Sequence, residues 1–401
     1  MTQGTYRHQS GLAISIYRPA ITLTDGTPNT VSIDLRGSFV TTLHPDAYNH
    51  QSGAMGGYLS MTAAIVMPTA DLNWLLDDIL AAHVEVYDET GSRVWEGFVN
   101  AFNFQLQGIV YEFGPVLDII NRVQVRYKRL YTGTNPPDTG ATVNTAIYED
   151  TDSQRRWGIR SAIINGGERT ETDAAQCALA VLLARAQPRP KLRYATSEPE
   201  NPVINLNCVG YASLLSITPY YAESAANINL SAKLAAVIDA EPNGIITSAN
   251  GYIQTNAVQV PENDDTYRDA WTIASALVQR GTATYERCVF MVGNDRTIFY
   301  GQASTEIDYM VKSARSRAII SQGWTDMRVL ESQVKAGSWV YLAAAMPHMQ
   351  AVDWNDLTKD FRALFVERVT FDMVQGLQLD GTGENNMPAQ LKKYELGTAV
   401  R

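Results

Sequence analysis

Apolar and polar side chains alternate over Ala13–Tyr17 (AISIY) and again over Val31–Leu35 (VSIDL), the period of a strand with one face in a core. The cluster Asp25-Gly26-Thr27-Pro28-Asn29 between them supplies turn residues. A third strand is predicted over Tyr58–Val66, behind Gly56-Gly57. The period then becomes helical: Thr69 offers an N-cap, and Leu72, Leu75, Leu76, Ile79 and Leu80 share one helical face. His83–Tyr87 (HVEVY), the turn Asp88-Glu89-Thr90-Gly91-Ser92 and Arg93–Phe98 (RVWEGF) form a hairpin, and Phe102–Phe113 continues the sheet.

Gly114-Pro115 closes this β section, and a short helix is expected over Val116–Val123. Residues 128–170 are rich in Gly, Thr, Asn, Pro and Asp and read as a loop-dominated insertion with short strands. Thr172–Ala186 is the clearest helix, with Glu171 and Asp173 at its positive end and Pro188-Arg189-Pro190 stopping it. Pro199 and Pro202 bound a linker before a strand over Val203–Val209. Helices follow over Ser231–Ala240 and Thr266–Arg280, then a hairpin of Cys288–Val292 and Thr297–Tyr300 across Gly293-Asn294-Asp295-Arg296. From Ala318 strands return, at Val329–Val334, Gly337–Leu342, Phe361–Asp372 and Gly376–Leu379. The run ending at Gly114 and the run ending at Gly210, about 96 residues apart, are each a β segment, a glycine and a leucine-bearing segment. Two related halves and two unrelated strand–turn units both fit this echo.

Composition narrows the function. Charged residues are 18% of 401, below the ~25% of an average soluble protein, which points to surface covered by other chains. Net charge is −10, so a basic nucleic-acid footprint is not the character of the chain. No stretch reaches the ~18 apolar residues of a membrane helix, and Met1–Gly11 has no apolar region of a secretory signal. Cys177, Cys208 and Cys288 are odd in number and widely spaced, which excludes a disulfide framework and a CxxC zinc site.

No Walker A, GxSxG, HExxH, EF-hand or helix-opening GxGxxG motif occurs. His44 and His50 flank Asp46 without a third ligand in view, and the segment 41–57 reads as a loop long enough to reach a neighbour. His83 reads as structural, and Asp77-Asp78 as solvated charge. Glu262, Asp264 and Asp265 suit a helix N-terminus, with calcium a distant second. Trp95, Trp271, Trp324, Trp339 and Trp354 read as core or interface anchors. Only Arg122–Arg129 (RVQVRYKR) interleaves aromatic and basic residues, and it reads as a charged face against an acidic neighbour. The sequence therefore assigns no catalytic, cofactor-binding or metal-ligating residue, and the chain is expected not to be an enzyme.

Several segments resemble the tail hub (baseplate hub) proteins of tailed bacteriophages. Val84-Glu85-Val86-Tyr87-Asp88, Gly91 and Val94-Trp95-Glu96-Gly97-Phe98-Val99 are similar to the hairpin common in phage tail β-barrels. Ile204-Asn205-Leu206-Asn207-Cys208-Val209-Gly210-Tyr211 is similar to a strand of hub-like proteins. Tyr267-Arg268-Asp269-Ala270-Trp271 with Val289–Tyr300 resembles their second inserted section, and Ala336–Val340 and Leu364–Thr370 resemble closing barrel strands. The resemblance implies an α+β, mainly β chain of two tube-like β-barrel domains with two inserted α/β domains. On that plan residues 1–127 form the first barrel, 128–202 the first insertion, 203–228 and 311–401 the second barrel, and 229–310 the second insertion.

It further implies a homotrimeric virion ring at the distal end of the tail, made in the host cytoplasm. The ring would join a sixfold tail tube to a threefold spike or fibre, beside distal tail and tape measure proteins, without membrane insertion. DNA would pass through without specific binding. An acidic wall suits this, because fixed positive charge would trap phosphates, and three chains at −10 carry −30. The alternatives are a distal tail or adaptor ring protein and, in another class, a host-glycan-binding or glycan-cleaving β-protein.

Overall fold

A computed structural model describes residues 12–66, 78–88, 90–130, 142–195, 202–222, 224, 226–263, 268–284, 286–303, 307–311, 317–320, 323–326, 336–342, 363–373 and 376–382. Most of the helix expected from Thr69, the strand expected over Val329–Val334, and Asp264, Asp265 and Trp354 lie outside these residues.

Strands β1 (Ala13–Thr24) and β2 (Thr30–Leu43) pair antiparallel, with Ile14 opposite Leu43 and Thr24 opposite Thr30. β3 (Ala47–Gly53) and β4 (Met55–Val66) make a second hairpin, and β5 (His83–Tyr87) and β6 (Arg93–Leu106) a third. β7 (Ile109–Phe113) returns along β6. The segment 41–57 is therefore not a free loop: it is strand at both ends, and His50 is buried in β3. Its polar residues concealed a strand because Tyr48 and His50 bond each other across a 2.9 Å contact and pack beside Phe371.

The chain then leaves this sheet. In place of a helix over 116–123 there is one 3-10 turn at Val116–Asp118, followed by β8 (Arg122–Arg129). β9 (Thr142–Asn144) and β10 (Tyr148–Glu149) flank β8. Helix α1 (Thr151–Trp157) and β11 (Ser161–Arg169), parallel to β8, occupy the stretch expected to be mostly loop. α1 carries no apolar period; it is set by Asp150, whose carboxylate accepts from Ser153 N at 2.9 Å, and by burial of Ser153 and Gln154. α2 (Glu171–Arg185) matches its sequence pattern, capped by Thr170, and packs Ala174, Ala178 and Leu182 on Val123, Val125 and Tyr127.

β12 (Lys191–Tyr194) comes back to pair with β7. β13 (Val203–Val209) lies between β4 and β6, with Leu206 opposite both Ala63 and Phe102. The resemblance places this strand at the opening of a second barrel; here its inward residues Ile204, Leu206 and Cys208 complete the core of the first sheet. Alternation identifies the strand but cannot name its partners.

The order β2-β1-β5-β6-β13-β4-β3 forces a curl. Laid flat, seven strands at ~4.8 Å spacing would separate β2 from β3 by about 29 Å. The link from Leu43 to Ala47 is four Cα steps and reaches at most about 15 Å. The sheet therefore wraps round a core of Ile14, Ile16, Met61, Val84, Val86, Trp95, Val99 and Phe104, with His44 Nδ1 3.0 Å from Leu12 O at the seam. Among the described residues no ladder joins β3 to β2, so the wrap is not a closed hydrogen-bonded barrel.

A second core follows. β14 (Asn227–Asn229), α3 (Leu230–Ile238), β15 (Gly251–Ile253), β16 (Gln259–Pro261) and α4 (Ala270–Arg280) lead to the hairpin β17 (Cys288–Val292) and β18 (Ile298–Gln302). Leu234, Val237, Ile273, Leu277, Phe290 and Tyr300 fill it. β19 (Ile307–Val311), β20 (Arg317–Ile320), β21 (Gly323–Asp326), β22 (Trp339–Leu342), β23 (Ala363–Asp372) and β24 (Gly376–Thr382) follow, and β23 pairs with both β22 and β3. The fold is mainly β with helices, and among the described residues no helix is long and apolar enough to cross a membrane.

His50 makes the core sensitive to acid. Burial pushes its pKa down to about 3, from 6.5. Between these values the unfolded chain holds the extra proton, so stability is full above pH 6.5 and falls as pH is lowered. Urea denaturation should show wild type losing about 2 kcal/mol between pH 6.5 and 5 that His50→Phe does not lose. Identical pH slopes for the two proteins would refute this.

Candidate functional site

β5 is buried on both faces. Val84 and Val86 enter the first core, while His83, Glu85 and Tyr87 point to the other side. There Glu85 stands directly across the ladder from Glu96 of β6. Like charges so placed repel, and both side chains are withdrawn from water, at 1% and 0% exposure.

Three arginines from three parts of the chain resolve the conflict. Arg36 of β2 donates to Glu85, through Nε at 3.0 Å and through Nη2. Arg93 of β6 donates to Glu85 at 3.1 Å, to Glu96 at 2.5 Å and, bidentately, to Asp295 at 3.0 and 3.1 Å. Arg296 donates to Glu96 at 3.1 Å, and Asp295 N donates to the same carboxylate at 2.6 Å. Tyr87 Oη donates to Glu85 at 2.8 Å, and His83 lies between Glu85 (Nε2, 3.3 Å) and Tyr211 (Nδ1, 2.7 Å).

Asp295 and Arg296 sit in the tight turn between β17 and β18, with φ of 54° and 58°. The turn is delivered by a parallel contact between β4 and β17, where Gly57 faces Val292. A Cβ on Gly57 would lie 2.2 Å from Val292 O, so only glycine allows the approach. Tyr58 Oη then donates to Asn294 Oδ1 at 2.7 Å.

The electrostatics follow from these contacts. Burial alone would raise the pKa of Glu85; hydrogen bonds from His83, Arg36 and Tyr87 and the charge of Arg93 more than reverse this and hold it well below the usual carboxylate range. The hydrogen bond from Arg93 lowers that of Asp295. Tyr211 is pushed well above the phenol range by burial. Glu85, Glu96 and Asp295 bring carboxylate oxygens within 4.8 Å of one another, the geometry of a cation site. The donor set does not fit one, because three guanidinium groups already saturate the three carboxylates, and a metal would have to displace them. A carboxylate held so far below neutral pH is also poorly matched to proton transfer. The cluster is a charge-balanced joint between the curled sheet and the second core.

The residues weighed from sequence fall elsewhere. His44 and His50 do not join this cluster. Arg122 meets Glu149 at 2.7 Å and Lys128 meets Glu168 at 2.5 Å, so two basic residues of that strand have acidic partners in the same chain. Asp78 pairs with Arg18 at 2.9 Å. Sequence reading passed over Glu85 and Glu96, which sit inside the resemblance-bearing hairpin. Their signal was present: a glutamate on each strand of a hairpin rich in Val, Trp and Phe, with an arginine three positions before Glu96.

A second feature is at the sheet margins. β12 is exposed along its whole length, with Leu192 at 65% and Tyr194 at 90% exposure, and among the described residues it pairs only with β7. β2 pairs only with β1 among those residues and exposes Phe39.

No family model and no curated protein matches this sequence. Among solved structures the chain is similar to a tail protein from Neisseria meningitidis MC58, at 8% identity and a TM-score of 0.39, covering 92% of this chain and 94% of that one. It is also similar to the 43 kDa tail protein of prophage MuSo2 from Shewanella oneidensis, at 8% identity and a TM-score of 0.37, covering 91% and 94%.

Removing one partner from the buried joint leaves carboxylates unpaired. Arg93→Ala should cost about 3 kcal/mol in urea denaturation. In a double-mutant cycle with Asp295→Asn the two losses should fall short of additivity. A departure from additivity below about 0.5 kcal/mol would show that the joint is not coupled.

Proposed function

We propose that this chain is a structural component of a phage tail tip, a trimeric hub ring that joins a sixfold tail tube to a threefold spike or fibre and forms part of the DNA channel. The reading draws on the hub-like segments, which fall on defined elements: 84–99 on the β5–β6 hairpin, 204–211 on β13 and the turn after it, 289–300 on β17 and β18. The observation that carries it is the pair of margins of the curled sheet that no strand among the described residues pairs. An unpaired strand is a template for another chain, and soluble monomers blunt such edges. β12 presents Leu192 and Tyr194 between Lys191 and Arg193, and β2 presents Phe39. A ring closes these edges by continuing the sheet from one copy to the next, and the low charged fraction suits the buried surfaces that result.

In this role the protein performs no chemistry. Its walls hold a pore open beside tube, distal tail, tape measure and spike or fibre proteins, and its acidic character keeps a passing duplex from sticking. Native mass spectrometry and particle imaging of the purified full chain should give a threefold ring with a central opening. The paired substitution Leu192→Glu and Tyr194→Lys should weaken its assembly at least about tenfold, roughly 1.4 kcal/mol, with the unfolding midpoint of the dissociated chain unchanged. A hexamer would transfer the assignment to a distal tail or adaptor ring, and a monomer at tens of micromolar, a concentration set by this test, would end it.

A further inference from the structure

A cavity of about 550 Å³ lies between the β1–β2 hairpin, α1 and the 3-10 turn Tyr211–Ile217. This is within the ~300–1,000 Å³ range of small-molecule sites. Phe98, Trp157, Tyr211 and Leu214 supply apolar and aromatic wall, and Arg18, Arg155, Arg156 and Arg160 outnumber Asp78 and Asp152 in the lining.

Three of these arginines are engaged. Arg18 pairs with Asp78 at 2.9 Å, Arg155 with Asp152 at 3.4 Å and Asp25 at 3.6 Å, and Arg156 lies 4.7 Å over the Trp157 ring. Arg160 differs. It is 6% exposed, and its Nε and Nη1 are buried without any hydrogen-bond partner. Its guanidinium carbon stands 5.9 Å from the Phe98 ring centre. Its backbone is fixed, since Arg160 N donates to Asn121 Oδ1 at 2.7 Å. Glu241 acts on it only through space, and that carboxylate already accepts from Asn243 and from Ile245 N. Burial pulls the Arg160 guanidinium below its ordinary pKa, against the opposing charge of Glu241, which reflects the cost of a buried cation whose donors are not all hydrogen-bonded.

The geometry points to a binding site for an oxyanion carried on an apolar or aromatic body, a carboxylate or phosphate, with Arg160 as its anchor. A guanidinium offers two parallel donors that match such a group, and the aromatic walls accept the body behind it. A free small molecule and an acidic side chain of a second copy share this chemistry. The inference stands whether or not the chain forms a ring.

The test uses the full chain, with benzoate and phenyl phosphate as probes and benzyl alcohol as the neutral control, followed by calorimetry and thermal unfolding. Saturable binding of either anion is expected, with none for the alcohol. Arg160→Met should weaken it at least about tenfold, roughly 1.4 kcal/mol. Ile33→Trp, which places bulk in the cavity and leaves Arg160 in the sequence, should block binding independently. If a second copy supplies the carboxylate, both substitutions reduce self-association instead. Wild-type affinity in both variants, or no binding together with unchanged self-association, would overturn the assignment.

Discussion

Two glutamates facing each other inside a protein are tolerated only when something neutralises them, and the placement of Glu85 against Glu96 makes that demand on the rest of the chain. The answer is drawn from residues far apart in sequence: Arg36, Arg93 and Arg296, with Asp295 completing the balance. Desolvating so many charges gives little net stability, but any other position of the 293–297 turn would strand at least one of them. The joint thus fixes where the second core sits on the curled sheet. The same demand explains why Gly57 must be a glycine, since the strand that carries the turn could not otherwise approach.

The curl of the sheet is an independent constraint. It follows from chain length, because a three-residue link spans what a flat sheet would separate. The distal part of the β1–β2 hairpin is held by another route. Asn29 at its tip donates to Gln154 at 2.9 Å and to Glu149 at 3.2 Å, and its carbonyl accepts from Arg122. The insertion is therefore tied to the first sheet by polar contacts at a turn, and to its own helix α2 by apolar ones.

Much of the local structure was legible. The alternation of AISIY and VSIDL, the HVEVY–RVWEGF hairpin, helix α2 and strand β13 follow from period and turn residues alone. What was not legible was set by partners. α1 has no apolar stripe and exists because Asp150 caps it and Gln154 accepts from Asn29, a residue distant in sequence. The polar run 47–53 forms a strand because β4 and β23 flank it on both sides. The charged joint escaped notice because each carboxylate looks ordinary until its opposite number is known. Arg160 was equally silent, since burial and the want of a partner are properties of the fold.

The pairing of β3 with β23 joins residues near 50 to residues near 371. Ribosomes extend a chain at about 5–20 residues per second, so β3 emerges roughly 15–60 seconds before its partner exists. During that interval one side of β3 is open to any extended segment nearby. In a cell producing many copies at once, the nearest such segment belongs to another nascent chain, so the order of synthesis itself sets a window in which this protein depends on chaperones or low local density.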